Sequence, residues 1–135
     1  MSPTTALLLI AHGSRHEEAN DDTRFLAAEL ARRGPHAIAI AAFLELATPT
    51  IDEGAEQCVR RGANRVVLLP HFLSAGVHVQ RDLSAARERL SRRHAGVEFL
   101  LAEPIGRDER LLEIFEARLR AAIAGEDSVK RLVVP

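Results

Sequence analysis

The chain has 135 residues, of which 47% are hydrophobic and 27% charged, with a formal net charge of −1. That is the length of one ordinary domain with material for a real core. The balanced charge gives no electrostatic reason to expect nucleic acid or an anionic membrane surface as a partner. No apolar run approaches bilayer-crossing length, and the single cysteine, Cys58, excludes an intrachain disulfide and a Cys-rich metal site. The N-terminal MSPTTALLLIAHGSR has no basic segment before its short apolar run and reads as a strand, not a secretory signal. Composition therefore predicts a soluble, cytoplasmic protein with residues 1–135 forming a single domain.

Taken in chain order, TALLLIA (5–11) is a near-continuous apolar run ending at His12, as expected of a strand buried on both faces. Asn20 is a candidate cap for a helix running to about Arg33, with Leu26 and Leu30 on its inner face and Gly34 just past its end. HAIAIAAF (36–43) is a second strand. A second helix starts near Pro49, with Asp52 and Glu53 suiting its N-terminal dipole. Ile51, Ala55 and Cys58 share one of its faces, which makes Cys58 a core filler, and Gly62 closes it.

RVVLLP (65–70) is the third strand. Val79, Leu83, Ala86 and Leu90 then form the apolar stripe of a third helix. VEFLLA (97–102) is the fourth strand. Asp108 caps a last helix whose inner face is Leu111 or Leu112, Phe115, Leu119 and Ile123, and the tail SVKRLVVP reads as either a short strand or an arm. Such βα alternation implies an α/β fold: a flavodoxin-like single domain with a four-stranded parallel sheet in the order 2-1-3-4 and helices on both faces. Ligands of such sheets bind beyond the carboxyl ends of the strands, where the winding reverses between strands 1 and 3.

That rule singles out particular histidines among the six in the chain. His12 ends strand 1, and His71 and His78 lie in the segment leaving strand 3. Adjacent parallel strands are about 5 Å apart, so both segments open onto one crevice. Two imidazoles there can bind a divalent ion such as cobalt, nickel, iron or zinc and still leave positions for a substrate. Glu45, after strand 2, enters the same rim as a carboxylate ligand or proton acceptor.

Each residue also has a plain reading. His12 can be a hydrogen-bonded turn residue and His78 a first-turn helix residue. His71 either points into the core or lines the pocket. Asp82, one turn after His78, either orients that imidazole or is simply exposed. His16, His36 and His94 read as solvated. Gly13 and Gly76 permit close backbone approach, and Ser14 with Arg15 could grip an anion. No dinucleotide fingerprint, P-loop or nucleophile elbow is present, so no organic cofactor is expected. A phosphatase-like use of His12 is weakened by Ala11 standing where an arginine would be needed.

LLLIAHGSR, FLELATPTI and LLPHFLSAGVHVQRDL together resemble the small class II tetrapyrrole chelatases, the sirohydrochlorin cobalto-, nickelo- and ferrochelatases. EPIGRDERLLEIF is similar to that family's last strand-to-helix block, although Arg107-Asp108 stands where some larger relatives carry His-Pro, so no catalytic role is given to it. The resemblance implies that His12 and His78 hold the metal ion (Co²⁺, Ni²⁺ or Fe²⁺) and that His12 also accepts a pyrrole proton. It implies that Leu73, Ser74, Ala75, Gly76 and Val77 contact the macrocycle and that the rim at Glu45 and Ala47 touches substrate. It further implies a homodimer with its clefts near the subunit interface. The runner-up reading is a non-catalytic metal or tetrapyrrole carrier on the same fold.

Overall fold

The computed structural model describes residues 2–125, and the expected strand or arm at SVKRLVVP lies outside them. Eight elements follow one another: β1 (Thr5–Ala11), α1 (Glu17–Arg33), β2 (Ile38–Phe43), α2 (Ile51–Arg60), β3 (Arg65–Pro70), α3 (Val77–Arg93), β4 (Glu98–Leu101) and α4 (Glu109–Ala124). The strands form one sheet in the order β2-β1-β3-β4, with every pairing parallel. No described helix is long and apolar enough to cross a membrane.

The apolar alternation divides the sheet into two faces. Ala6, Leu8 and Ile10 of β1, Val66 and Leu68 of β3 and Phe99 of β4 point to one side. There they pack with Ala55 and Cys58 of α2 and with Leu83, Ala86 and Leu90 of α3. The expected stripes of α2 and α3 are therefore the observed ones. The opposite face is smaller: Leu9, Ala41 and Phe43 close against Ala27 of α1. Right-handed crossovers require this division, because α1 connects strands leftward and α2 and α3 connect them rightward.

Three helix details differ from the sequence expectations. α1 starts at Glu17, not after Asn20, and its buried residues are Asn20, Thr23 and Ala27, whereas Leu26 and Leu30 are exposed. Asn20 is a good capping residue, but here its amide serves the preceding loop from inside the helix. α2 is capped by Thr50, whose side chain accepts from the Glu53 amide in a reciprocal capping box, so Pro49 precedes the cap. Asp108 does cap α4, yet no residue of α4 is buried. Among the described residues its apolar stripe is left exposed, and α4 makes no substantial contact with the sheet or with another helix.

The face shared with α1 is correspondingly open over β3 and β4. Val67 and Leu69 alternate with the buried Val66 and Leu68, so they point to the α1 side, where they are only half-buried. Leu100 of β4 pairs with Val67 and is exposed.

Candidate functional site

At the carboxyl edge of the sheet, the loops after β1 and β2 are locked together. The Leu44 amide donates to Ala11 O and the Glu45 amide to His12 O, both at 3.0 Å, extending the β1–β2 pairing past the strands. Gly13 has φ +97°, and a Cβ there would lie 1.8 Å from the Glu45 carbonyl oxygen. Close approach of the two loops thus requires glycine. It also brings the His12 Nε2 within 2.8 Å of Glu45 Oε1. A carboxylate can only accept, so Nε2 carries the hydrogen, and the neutral ring then has its lone pair on Nδ1. Both side chains are more than half exposed, at 57% each.

The loop carrying His12 is held from below by Asn20, which is 1% exposed. The Ser14 amide donates to Asn20 Oδ1 at 2.9 Å, and Asn20 Nδ2 donates to Ser14 O at 2.8 Å and to Glu17 Oε1 at 2.9 Å. Every capacity of a buried amide side chain is nearly filled, as burial demands. Ser14 Oγ accepts from the His16 amide at 3.0 Å, so Ser14 is committed to the turn rather than to an anion. Sequence patterning treated Asn20 as a cap and missed this clamp; its contacts run six residues back to Ser14.

After β3, the His71 amide donates to Ile10 O at 2.7 Å, continuing the β1–β3 ladder by one residue. His71 Nδ1 lies 2.9 Å from Thr23 Oγ1 of α1. Burial pushes the His71 pKa down, opposed by nearby Asp22. Of its two sequence readings, the structure gives the inward one: His71 ties the β3 exit to α1.

The segment 72–76 is pinned from the far side by the stem that leads to α4. The Ile105 amide donates to Phe72 O at 3.2 Å and the Gly106 amide to Leu73 O at 2.8 Å. Leu73 and Val77 are left exposed. Gly76 is the N-cap of α3, with the Gln80 amide donating to its carbonyl at 3.0 Å. His78 is the second residue of α3 and exposed.

A cleft of about 510 Å³ runs down from this edge between α2 and α3. His12, Glu45 and Phe43 line it from the sheet side, Thr50 and Asp52 from α2, and Val79, Asp82, Ala85 and Arg89 from α3. At 100° per residue, His78 projects along the same stripe of α3 as Asp82, Ala85 and Arg89, one turn nearer the open end. Asp82 makes no hydrogen bond to His78; it faces the cleft. At the surface of the cleft, Arg89 clasps Asp52 through Nε at 3.2 Å and Nη2 at 2.8 Å, joining the two helices. This pair couples residues 37 apart and has no signature in sequence periodicity. Among the described residues, no group of three or more His, Cys, Asp or Glu side chains is placed to cage a metal ion.

Cys58 is buried, and desolvation pushes its thiol up to about 11, as befits a core filler. His94, expected to be solvated, is instead tucked beneath the C-terminus of α3 beside the Phe99 ring, its Nε2 buried without a hydrogen-bond partner. Gly96 in the turn that follows α3 lets the chain fold over it.

With this geometry in place, similarity to known proteins becomes informative. A model of the CbiX family matches residues 6–122. The sirohydrochlorin ferrochelatase of Priestia megaterium is 34% identical over 95% of this chain and 49% of its own length. The sirohydrochlorin cobaltochelatase of Sulfolobus acidocaldarius is 34% identical over 89% of this chain and 94% of its own. The chain thus spans about half the length of the first relative and nearly all of the second. Among solved structures, the sirohydrochlorin chelatase SirB from Bacillus subtilis subspecies spizizenii, in complex with cobalt, superposes with a TM-score of 0.80. It is 27% identical over 87% of this chain and 50% of that one.

Proposed function

Because the chain belongs to the CbiX family, we propose that it is a chelatase that inserts a divalent metal ion into sirohydrochlorin. The observation that supports this reading is the His12–Glu45 pair at the mouth of a cleft walled on one side by α3, the helix that carries His78 in its first turn. Insertion of M²⁺ into a free-base macrocycle expels two pyrrole protons. The site therefore needs neutral nitrogen donors to present the ion and a base to collect protons.

His12 suits both tasks. Its Nδ1 lone pair is free for the incoming metal, while Glu45 fixes the ring and strengthens it as a donor. A proton passed to His12 can leave through the exposed Glu45 carboxylate to solvent. His78 supplies the second nitrogen from the first turn of α3. Two protein ligands hold the substrate ion loosely enough for the macrocycle to take it. Leu73, Ser74, Ala75, Gly76 and Val77 would form the wall against the flat ring, with Ala47 at the opposite rim.

We further read the protein as a cytoplasmic homodimer. Support comes from the longer relatives: one copy matches half of each, so two copies together would match their length. Co²⁺, Ni²⁺ and Fe²⁺ are all candidates, since imidazole nitrogen accepts each of them.

Incubation with sirohydrochlorin and each of these ions should change the absorbance spectrum faster than the uncatalysed control, through many turnovers. Stoichiometric binding without turnover would replace the chelatase by a carrier. His12→Ala and His78→Ala should each remove most of the activity, and full activity in both would discard the site assignment.

A further inference from the structure

The first half of α1 is packed by polar side chains. Only Asn20, Thr23 and Ala27 of its 17 residues are buried, and the two nearest the site are the polar ones, each 1% exposed. Leu26 and Leu30 of the same helix are left exposed. Burying an amide and a hydroxyl is unfavourable unless each finds a partner in good geometry. Such contacts are directional: a hydrogen bond constrains distance and angle, which apolar packing does only loosely.

The polar contacts go to three different loops at the carboxyl edge of the sheet. Asn20 exchanges two hydrogen bonds with the backbone of Ser14, two residues beyond His12. Thr23 meets His71 Nδ1 at 2.9 Å, one residue beyond β3. Arg24 holds its guanidinium 5.3 Å from the centre of the Phe43 ring, at the end of β2, and reaches Thr48 O at 3.5 Å in the loop that follows. The exits of β1, β3 and β2 are thus all touched from residues 20–24, about 6 Å of helix axis. These anchors are also joined to one another. Glu17 accepts from Asn20 Nδ2 at 2.9 Å and from Arg24 Nη1 at 2.8 Å, and Asp21 takes a second bond from the same Arg24 nitrogen.

We infer that Asn20, Thr23 and Arg24 are positioning residues, and that this stretch of α1 is a common mount for the His12 loop, the Glu45–Ala47 rim and the 72–76 wall. The mount stands on geometry alone; its consequence for turnover rests on the chelatase reading. The loops are otherwise tied by single backbone bonds that continue the ladder, Glu45 N to His12 O and His71 N to Ile10 O. Bonds of that kind fix the spacing along the sheet edge and leave each loop able to pivot out of the sheet plane. α1 lies across one face of β1 and β2 and crosses to the β3 exit through Thr23, so it braces all three against that pivot. A metal ion presented by His12 must meet ring nitrogens resting on the wall. A misplacement of ~1 Å between the two loops therefore falls directly on the rate.

The test compares Thr23→Val, which keeps the shape and removes the hydroxyl, with Thr23→Ser, which restores it, in the full chain. With sirohydrochlorin and Co²⁺, Thr23→Val should lower the turnover number about tenfold and change the Michaelis constant for sirohydrochlorin less than about twofold. Thr23→Ser should return the turnover number to within about twofold of wild type. An unchanged turnover number in Thr23→Val overturns the positioning role. Amide hydrogen exchange followed by NMR reads the mount without any chemistry. Loss of the Thr23 hydroxyl should speed exchange about tenfold at His71 and also at Ser14 and Glu45, which belong to the other two loops. Arg24→Gln, at a half-buried position, should spread the same effect from the β2 side to Ser14 and His71. Faster exchange confined to the loop each variant touches overturns the common mount. A wild type without turnover removes the chelatase reading, and the exchange measurement then decides the mount by itself.

Discussion

Gly13 and Gly62 form a matched pair that separates backbone strain from steric contact. Both adopt left-handed φ, +97° and +99°, but a Cβ on Gly13 meets the Glu45 carbonyl at 1.8 Å whereas one on Gly62 meets nothing within 4 Å. Gly62→Ala should therefore cost only the left-handed strain, about 1–2 kcal/mol. Gly13→Ala adds to that strain the retreat of Glu45 O by more than 1 Å. This breaks the Glu45–His12 backbone hydrogen bond, worth ~1 kcal/mol, and overpacks the loop by ~1–3 kcal/mol. The total is roughly 3–6 kcal/mol. At about 3–5 °C per kcal/mol for a chain of this size, thermal unfolding followed by circular dichroism should show a small shift for Gly62→Ala and a drop of at least ~10 °C for Gly13→Ala. The turnover assay, run below both melting points, should show near wild-type rates for Gly62→Ala and a loss of about 10²-fold for Gly13→Ala, because the His12–Glu45 geometry moves with the loop. Equal melting temperatures for the two variants would refute the claim that loop contact, not conformational preference, fixes glycine at position 13.

Glu45→Gln keeps a hydrogen-bonding group beside His12 but removes the proton acceptor. It should lower the turnover number by about tenfold to a hundredfold with little change in the Michaelis constant for metal; an unchanged turnover number would take Glu45 out of proton transfer. His71 is held neutral by burial, so its folded pKa lies below the unfolded value of about 6.5. Stability from this group is complete above that value and falls as pH drops through it toward the lower folded pKa, because the unfolded chain takes up the proton first. His71→Gln should flatten the acid limb of the melting-temperature profile below about pH 6.5, and an identical slope would refute the assignment. Cys58, with its thiol pushed up to about 11 inside the core, should resist a disulfide reagent in the native protein and react at once in denaturant; fast native labelling would place it elsewhere.

The residues show why the fold was legible from the sequence and parts of the site were not. Strand order, the α2 and α3 stripes and the Asp108 cap depend on local pattern and on the handedness of crossovers, which one sequence carries. The crevice rule likewise brought Glu45 to the same rim as His12. Asn20 misled because its amide satisfies a loop instead of a helix end, and both uses leave the same letter in the chain. His94 misled for a similar reason: polarity suggested solvent, whereas the turn through Gly96 folds it under Phe99. The Asp52–Arg89 clasp and the open face over β3 and β4 depend on distant packing that periodicity does not encode. Periodicity shows that α4 has an apolar side without showing what the side meets.

The amides of Ile105 and Gly106 bind the carbonyls of Phe72 and Leu73, and these four residues belong to two different stories. One strand of this small ribbon is the root from which α4 departs; the other is the start of the wall beside His78. In mechanical terms the ribbon is a linkage. A tilt of α4 about its root is a displacement of the wall, and pressure on the wall is a torque on α4. Whatever seats the last helix of this chain thus bears, through two backbone hydrogen bonds, on the segment that leads into α3.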